Sequence, residues 1–217
     1  MASRRKSGKR PTKRVILIYG EGKSEKAYVD HVRRYCLPKR GTSRHNVVIR
    51  SDFPPHPDIE TMIKKAENAV AVEEEYREYE RVFVIVDWDE ARKKPEVYNS
   101  FYNKNKYDNG ELISCLRVHP CFEAWYLLHF KKTTRCFGNC NEVCKALKKH
   151  LRDYRKGNLT PDQFKKLWAK LNKAKCHSRF LEKHNQKNAV SDSSLFCDMH
   201  KLFEELQKHF CFDESIE

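Results

Sequence analysis

Residues 82–90 read Val-Phe-Val-Ile-Val-Asp-Trp-Asp-Glu, five consecutive apolar side chains that stop on a pair of aspartates. A run that does not alternate, rich in valine and isoleucine, describes a strand covered on both faces, as in a parallel sheet between helices. A second run of the same kind, Val15-Ile16-Leu17-Ile18-Tyr19, ends on Gly20-Glu21-Gly22. Between the two lie a helical pattern over residues 23–35, a weaker strand at Val47-Val48-Ile49, and a second helical pattern from Pro57 to about Tyr79. In that pattern Ile59, Met62, Ile63, Ala66, Ala69 and Val70 share one face. Leu112 to Val118 reads as a further strand, and Pro120 opens an apolar helix from Cys121 to Phe130. Strands alternating with helices predict an α/β fold with a mostly parallel sheet flanked by helices.

Beyond residue 131 the strand signals stop, and helices are expected over 141–154, 160–171 and 195–209. The expected organisation is a basic disordered tail (1–14), an α/β core (15–130), and a basic helical extension packed on that core (131–217). Charge follows the same division. The chain of 217 residues carries a net +14, and residues 1–14 hold seven bases and no acid. Residues 15–130 are balanced, with 18 basic and 19 acidic side chains, whereas residues 131–188 hold 17 basic and 4 acidic. Segregated positive charge of this kind is the footprint of a polyanionic partner, nucleic acid first. Lys23, Lys145, Lys148, Lys149, Arg152, Arg155, Lys156, Lys165 and Lys166 are the candidate phosphate contacts, salt-sensitive and independent of base sequence.

No apolar run approaches the ~20 residues of a membrane span, and the basic N-terminus lacks an apolar signal core. A cytoplasmic protein without membrane contact is expected. Nine cysteines, an odd number without an export signal, are expected as reduced thiols. Cys136, Cys140 and Cys144 recur every four residues, a helical rather than a zinc-knuckle spacing. Gly22-Lys23-Ser24 invites comparison with a phosphate-binding loop, but the required glycine five positions earlier is Leu17, inside the strand.

What the two strand ends do carry is carboxylates. Glu21 sits between glycines at the carboxyl end of the first strand, the edge where open parallel sheets bind ligands. Asp87 and Asp89, at i and i+2 on an extended segment, would project to one side and hold Mg²⁺. Three converging carboxylates repel one another unless a cation or shared protons intervene. Glu123 lies inside an apolar helical run, so either a basic partner neutralises it or it joins the acidic edge. His129 reads as a packed or capping histidine.

A glutamate after the first strand and Asp-x-Asp after a later one resemble the TOPRIM signature of topoisomerases, primases and small nucleases. The closer resemblance is to RloB-like proteins, a TOPRIM-related bacterial group. Three segments carry it: Ile16 to Tyr28 (ILIYGEGKSEKAY), Val82 to Glu90 (VFVIVDWDE), and Pro120 to Phe130 (PCFEAWYLLHF). Tyr154-Arg155-Lys156 is a weaker echo of the family's Tyr-x-Lys, and Val118-His119-Pro120 departs from its usual Ser-Asn-Pro.

The resemblance implies a TOPRIM-like, Rossmann-like core and a Mg²⁺- or Mn²⁺-dependent nuclease. Its substrate would be DNA or RNA, transfer RNA included, and its setting bacterial antiphage defence under an AAA- or ABC-type ATPase encoded nearby. Glu21, Asp87 and Asp89 would be its metal ligands, with Glu123 completing the catalytic set. The alternative from another class is a non-catalytic nucleic-acid-binding or ATPase-partner subunit.

Overall fold

Val15–Tyr19 and Val82–Val86 are buried at every position, as a strand covered on both faces must be. The computed structural model describes residues 13–36, 47–53, 58–71, 77–188 and 194–212. Its sheet has five strands: β1 (Lys13–Tyr19), β2 (Val47–Asp52), β3 (Arg77–Asp87), β4 (Ile113–His119) and β5 (Phe196–Cys197). They are ordered β2-β1-β3-β4-β5, all parallel except β5, which runs antiparallel to β4. The chain is therefore α/β, of Rossmann-like type.

Side chains alternate across the sheet and divide the interior in two. Val15, Leu17, Val82, Val84 and Val86 face α2 (Ile59–Ala71) and α4 (Pro95–Lys104), through Met62, Ile63, Tyr98 and Phe101. Ile16, Ile18, Phe83 and Ile85 face the other side, where α1 (Lys23–His31) and α5 (Glu123–Leu128) pack. All six residues of α5 are buried. Its Trp125 stacks on Phe203 at 5.7 Å between ring centres, and Tyr28 of α1 meets Trp125 edge-on at 6.4 Å.

Phe203 comes from α9 (Met199–His209), and α6 (Cys140–Leu147), α7 (Pro161–Trp168) and α8 (Leu171–Lys187) contribute Val143, Phe164, Trp168 and Leu181 to the same core. The C-terminal region thus closes one face of the sheet. It also departs from expectation in three ways. Phe196 and Cys197 form β5 where only helix was foreseen; they pair with His119 and Val118, satisfying the open edge of β4.

The helix α8, also not foreseen, buries Leu171, Ala174, Lys175, Ser178 and Leu181. That face is helical in spacing but too small and polar to register as an apolar stripe. Helix α6 ends at Leu147 rather than Tyr154, and Cys136 lies in the loop before it. On the N-terminal side, Lys13 and Arg14 belong to β1 rather than to a disordered tail, whose residues 1–12 lie outside the described residues. Residues 77–79, foreseen as helix, extend β3 because they pair with Lys13–Val15 of β1. The helix foreseen over 121–130 is shorter, preceded by a cis His119–Pro120 bond.

The chain leaves β1 for β2 on one side and returns to β3 on the other. The strand order therefore reverses at the carboxyl ends of β1 and β3, the position where open α/β sheets form a binding crevice.

Candidate active site

Both strands at that crevice end in acids. Tyr19 pairs with Val84, so β3 runs three residues past β1 and brings Asp87 up beside the Gly20-Glu21-Gly22 turn. The helix α1 starts immediately, with Gly22 as its N-cap. A side chain at Gly22 would run into Oε2 of Glu25, so glycine here lets the turn close over that carboxylate. Glu25 is consequently 2% exposed although it lies in the first turn of a helix.

Glu21, Glu25 and Glu123 all lie within electrostatic reach of Asp87, and Glu123 within reach of Glu25. Burial first, then the charges of Glu25, Glu21 and Glu123, push the Asp87 carboxyl well above the usual range, with Lys156 opposing. The Glu25 carboxyl is pushed up to about 7 by burial and by Glu123, against its own backbone N–H and Lys156. Oδ1 of Asp87 is buried and, among the described residues, has no hydrogen-bond partner. A buried carboxylate oxygen without a donor, among three more acids, is what a divalent cation would satisfy.

Glu123 is held differently. It is fully buried, and its Oε1 accepts hydrogen bonds from Ser24 Oγ at 2.6 Å and from the Tyr154 hydroxyl at 2.7 Å. Ser24 is fixed in turn: its Oγ accepts from the Gly157 N–H at 3.2 Å and its carbonyl from the Tyr126 hydroxyl at 2.8 Å. Gly157 adopts φ +76°, and a Cβ there would lie 3.0 Å from Cβ of Lys23, so this turn requires glycine twice over. Burial and the Glu123 charge push the Tyr154 phenol up, which keeps it a donor. The hydrogen-bond partners of Glu123 Oε1 are thus hydroxyls rather than a base. Its Oε2 lies 3.3 Å from Cys140 Sγ.

Cys140 is joined to Cys121 by a disulfide, which corrects the expectation of nine reduced thiols for this pair. His129 packs as foreseen. Its Nδ1–H donates to the Trp125 carbonyl at 2.8 Å, Nε2 faces the Tyr28 hydroxyl at 3.3 Å, and burial pulls its pKa down to about 3.

Asp89 requires a correction. The strand ends at Asp87, and Asp89 lies on the short helix α3 (Trp88–Ala91), so the two aspartates do not share an extended segment. The side chain of Asp89 lies outside the described residues. Lys145, Lys148, Lys149, Arg152, Arg155, Lys156 and Lys166 are exposed and Lys165 half-buried; among the described residues none of these eight, nor Lys23, pairs with a carboxylate. Of these, Lys156 acts on the carboxyls of Asp87 and Glu25. Glu25, Ser24 and Tyr154 were not among the candidate site residues expected from the sequence. The signals were the four-residue return from Glu21 to Glu25, and the Tyr-x-Lys echo.

Among the described residues, two groups of side chains are close enough to hold a metal ion: Cys121, Glu123 and Cys140, and a second of Glu80, Glu205 and His209. In the second, Arg14 pairs with Glu80 at 2.6 Å and Lys208 with Glu205 at 2.9 Å, so its charges are already met. A cavity of about 400 Å³ opens outside the β4–β5 edge, beside Tyr102, Arg117 and Phe196. Two of its cations are paired, Arg117 with Asp198 at 2.9 Å and Lys201 with Glu182 at 2.8 Å, and it includes none of the four acids. The cavity is therefore separate from the carboxylate crevice.

Among the described residues no helix is long and apolar enough to cross a membrane. No curated protein and no solved structure matches the chain. The family model described as RloB-like protein matches residues 16–206, spanning the crevice, the Pro120–Phe130 segment and the C-terminal helices that enclose them. The chain belongs to the RloB-like protein family.

Proposed function

We propose that the protein is a Mg²⁺- or Mn²⁺-dependent phosphodiesterase acting on nucleic acid. The observation that carries this reading is the buried Oδ1 of Asp87, without a hydrogen-bond partner among the described residues, beside Glu21, Glu25 and Glu123 at the strand-order reversal. Asp87 and Glu21 would hold the ion, with Asp89 following in α3. When bound, it would supply charge to offset a phosphoryl oxygen and would acidify a water.

The chain's own residues do the rest. Glu25, with its carboxyl held near pH 7, releases a proton when a cation arrives and can return one to a leaving oxygen. Glu123, locked by Ser24 and Tyr154, fixes α1 against α5 and keeps the acids in place. Lys156 lies beside the acids and is exposed, as a phosphate contact requires. The lysines and arginines of residues 145–166 carry no carboxylate partner among the described residues and would grip the polyanion backbone.

Membership of the RloB-like family supports a defence setting, in which a neighbouring ATPase would hold or release the nuclease. Cleavage of labelled RNA and DNA with Mg²⁺ or Mn²⁺, comparing the parent with Glu21→Ala and Asp87→Ala, tests the reading. Loss of cutting with binding retained is the expected result. Undiminished cutting in both variants removes the site. Tight binding by a parent that cuts nothing supports instead a nucleic-acid-binding subunit.

A further inference from the structure

The disulfide lies against the buried carboxylate of the crevice. Cys121 precedes Glu123 by two residues, Cys140 opens α6, and their Cα atoms are 5.5 Å apart. Oε1 of Glu123 already accepts two hydroxyl donors, and Oε2 faces Cys140 Sγ at 3.3 Å. A disulfide sulfur has no proton, so from this side Oε2 receives no hydrogen bond. A thiol in the same place would be a donor. Exposure is unequal as well: Cys121 is 2% exposed, whereas Cys140 is half-buried at the start of its helix.

A third sulfur, Cys144 Sγ, lies 3.9 Å from that of Cys140. Burial and the Glu123 charge push its thiol up to about 11, so at neutral pH it keeps its proton and does not open the bond itself.

We propose that Cys121 and Cys140 form a reversible thiol–disulfide site, opened by a dithiol reductant, whose redox state sets the hydrogen bonding of Glu123. A thiolate of the reductant attacks Cys140 Sγ, the S–S bond breaks, and Cys121 leaves as a thiolate that takes up a proton. The reductant's second sulfur then attacks the mixed disulfide and releases Cys140, which is protonated in turn. Two electrons pass from the dithiol, which departs as a cyclic disulfide, and the protein gains two S–H groups. The Cys140 thiol then donates to Oε2 of Glu123, while α6 is released from its covalent tie to the turn before α5. The redox chemistry stands on geometry alone; its effect on cutting rests on the phosphodiesterase reading.

The test uses the full chain equilibrated with dithiothreitol or with its oxidised cyclic form. Differential alkylation and peptide mapping are expected to find Cys121 and Cys140 linked in the oxidised sample and alkylated in the reduced one, reversibly. The backbone amide signals of Ser24, Glu123 and Tyr154 should shift between the two states in the parent. They should not respond in Cys140→Ser, which carries a permanent donor, nor in Cys140→Ala. Cutting should be about fivefold faster in the reduced parent, the ratio one modest hydrogen bond gives, and insensitive to redox state in both variants. Cysteines that alkylate freely after oxidation, or amides that stay still on reduction, would overturn the proposal. A metal ion bound by the two sulfurs would overturn it equally. If the parent cuts nothing, the alkylation and amide measurements still decide the redox site, and only the phosphodiesterase reading falls.

Discussion

Without divalent cations, the protein should lose stability as pH rises from 4.5 to 7, and Glu25→Gln should remove much of that loss. Glu25 is buried, and its carboxyl moves from an ordinary 4.5 to about 7 in the folded chain. Between those values the folded state holds a proton that the unfolded state has released, so stability falls with rising pH. At 1.36 kcal/mol per pH unit, the gap between 4.5 and 7 is worth about 3 kcal/mol. The contribution is whole below pH 4.5 and gone above 7. Asp87 acts in the same direction.

Glu182 does not interfere. Its hydrogen bond with His200 and contact with Lys201 hold it down to about 2, so its contribution is lost only below 4.5. Urea unfolding followed by tryptophan fluorescence, at pH 4.5, 6, 7 and 8 in a chelator, reads the difference directly. The glutamine variant should match the parent at pH 4.5 and exceed it by about 3 kcal/mol at pH 8. Millimolar Mg²⁺ should flatten the parent's curve. A variant with the parent's slope would refute the claim that Glu25 is buried among acids.

Other perturbations follow from named contacts. Tyr154→Phe keeps the ring but removes one of two donors to Glu123 Oε1, and should cost about 1–2 kcal/mol in urea unfolding. Combined with Ser24→Ala it should cost more than the two single changes together, because Glu123 then loses both donors. Asp198 is 3% exposed and accepts from both the backbone N–H and Nε of Arg117, so Asp198→Ala should cost about 3 kcal/mol by leaving a half-buried cation unpaired. Replacing Lys148 and Lys149 by alanine should lower the slope of log affinity against log salt by about 2 for duplex DNA, without changing sequence preference.

The two central strands and their terminal acids were legible because a doubly covered strand must be apolar at each position, and an acid that ends it stands out. Glu21 and Asp87 were found in this way. Glu25 was not, because an acid in a first helical turn already has an ordinary explanation in the helix dipole. Only the closed Gly22 turn shows that it is buried. Asp89 was misread because a strand end cannot be told from a helix start by a two-residue spacing. Strand β5 escaped notice since two residues make no pattern, and α8 because Ala174 and Ser178 stand where apolar side chains announce a buried face. The Cys121–Cys140 link depends on α5 and α6 packing together, a tertiary contact that spacing does not encode.

The central claim is that the crevice at β1 and β3 is a cation site organised around Asp87. Isothermal titration of the full chain with Mn²⁺, parent against Asp87→Asn, tests it most directly. The account predicts saturable binding with proton release near pH 7 in the parent, and loss of that binding in a variant that remains folded. Equal affinity and equal proton release in the two proteins would contradict it.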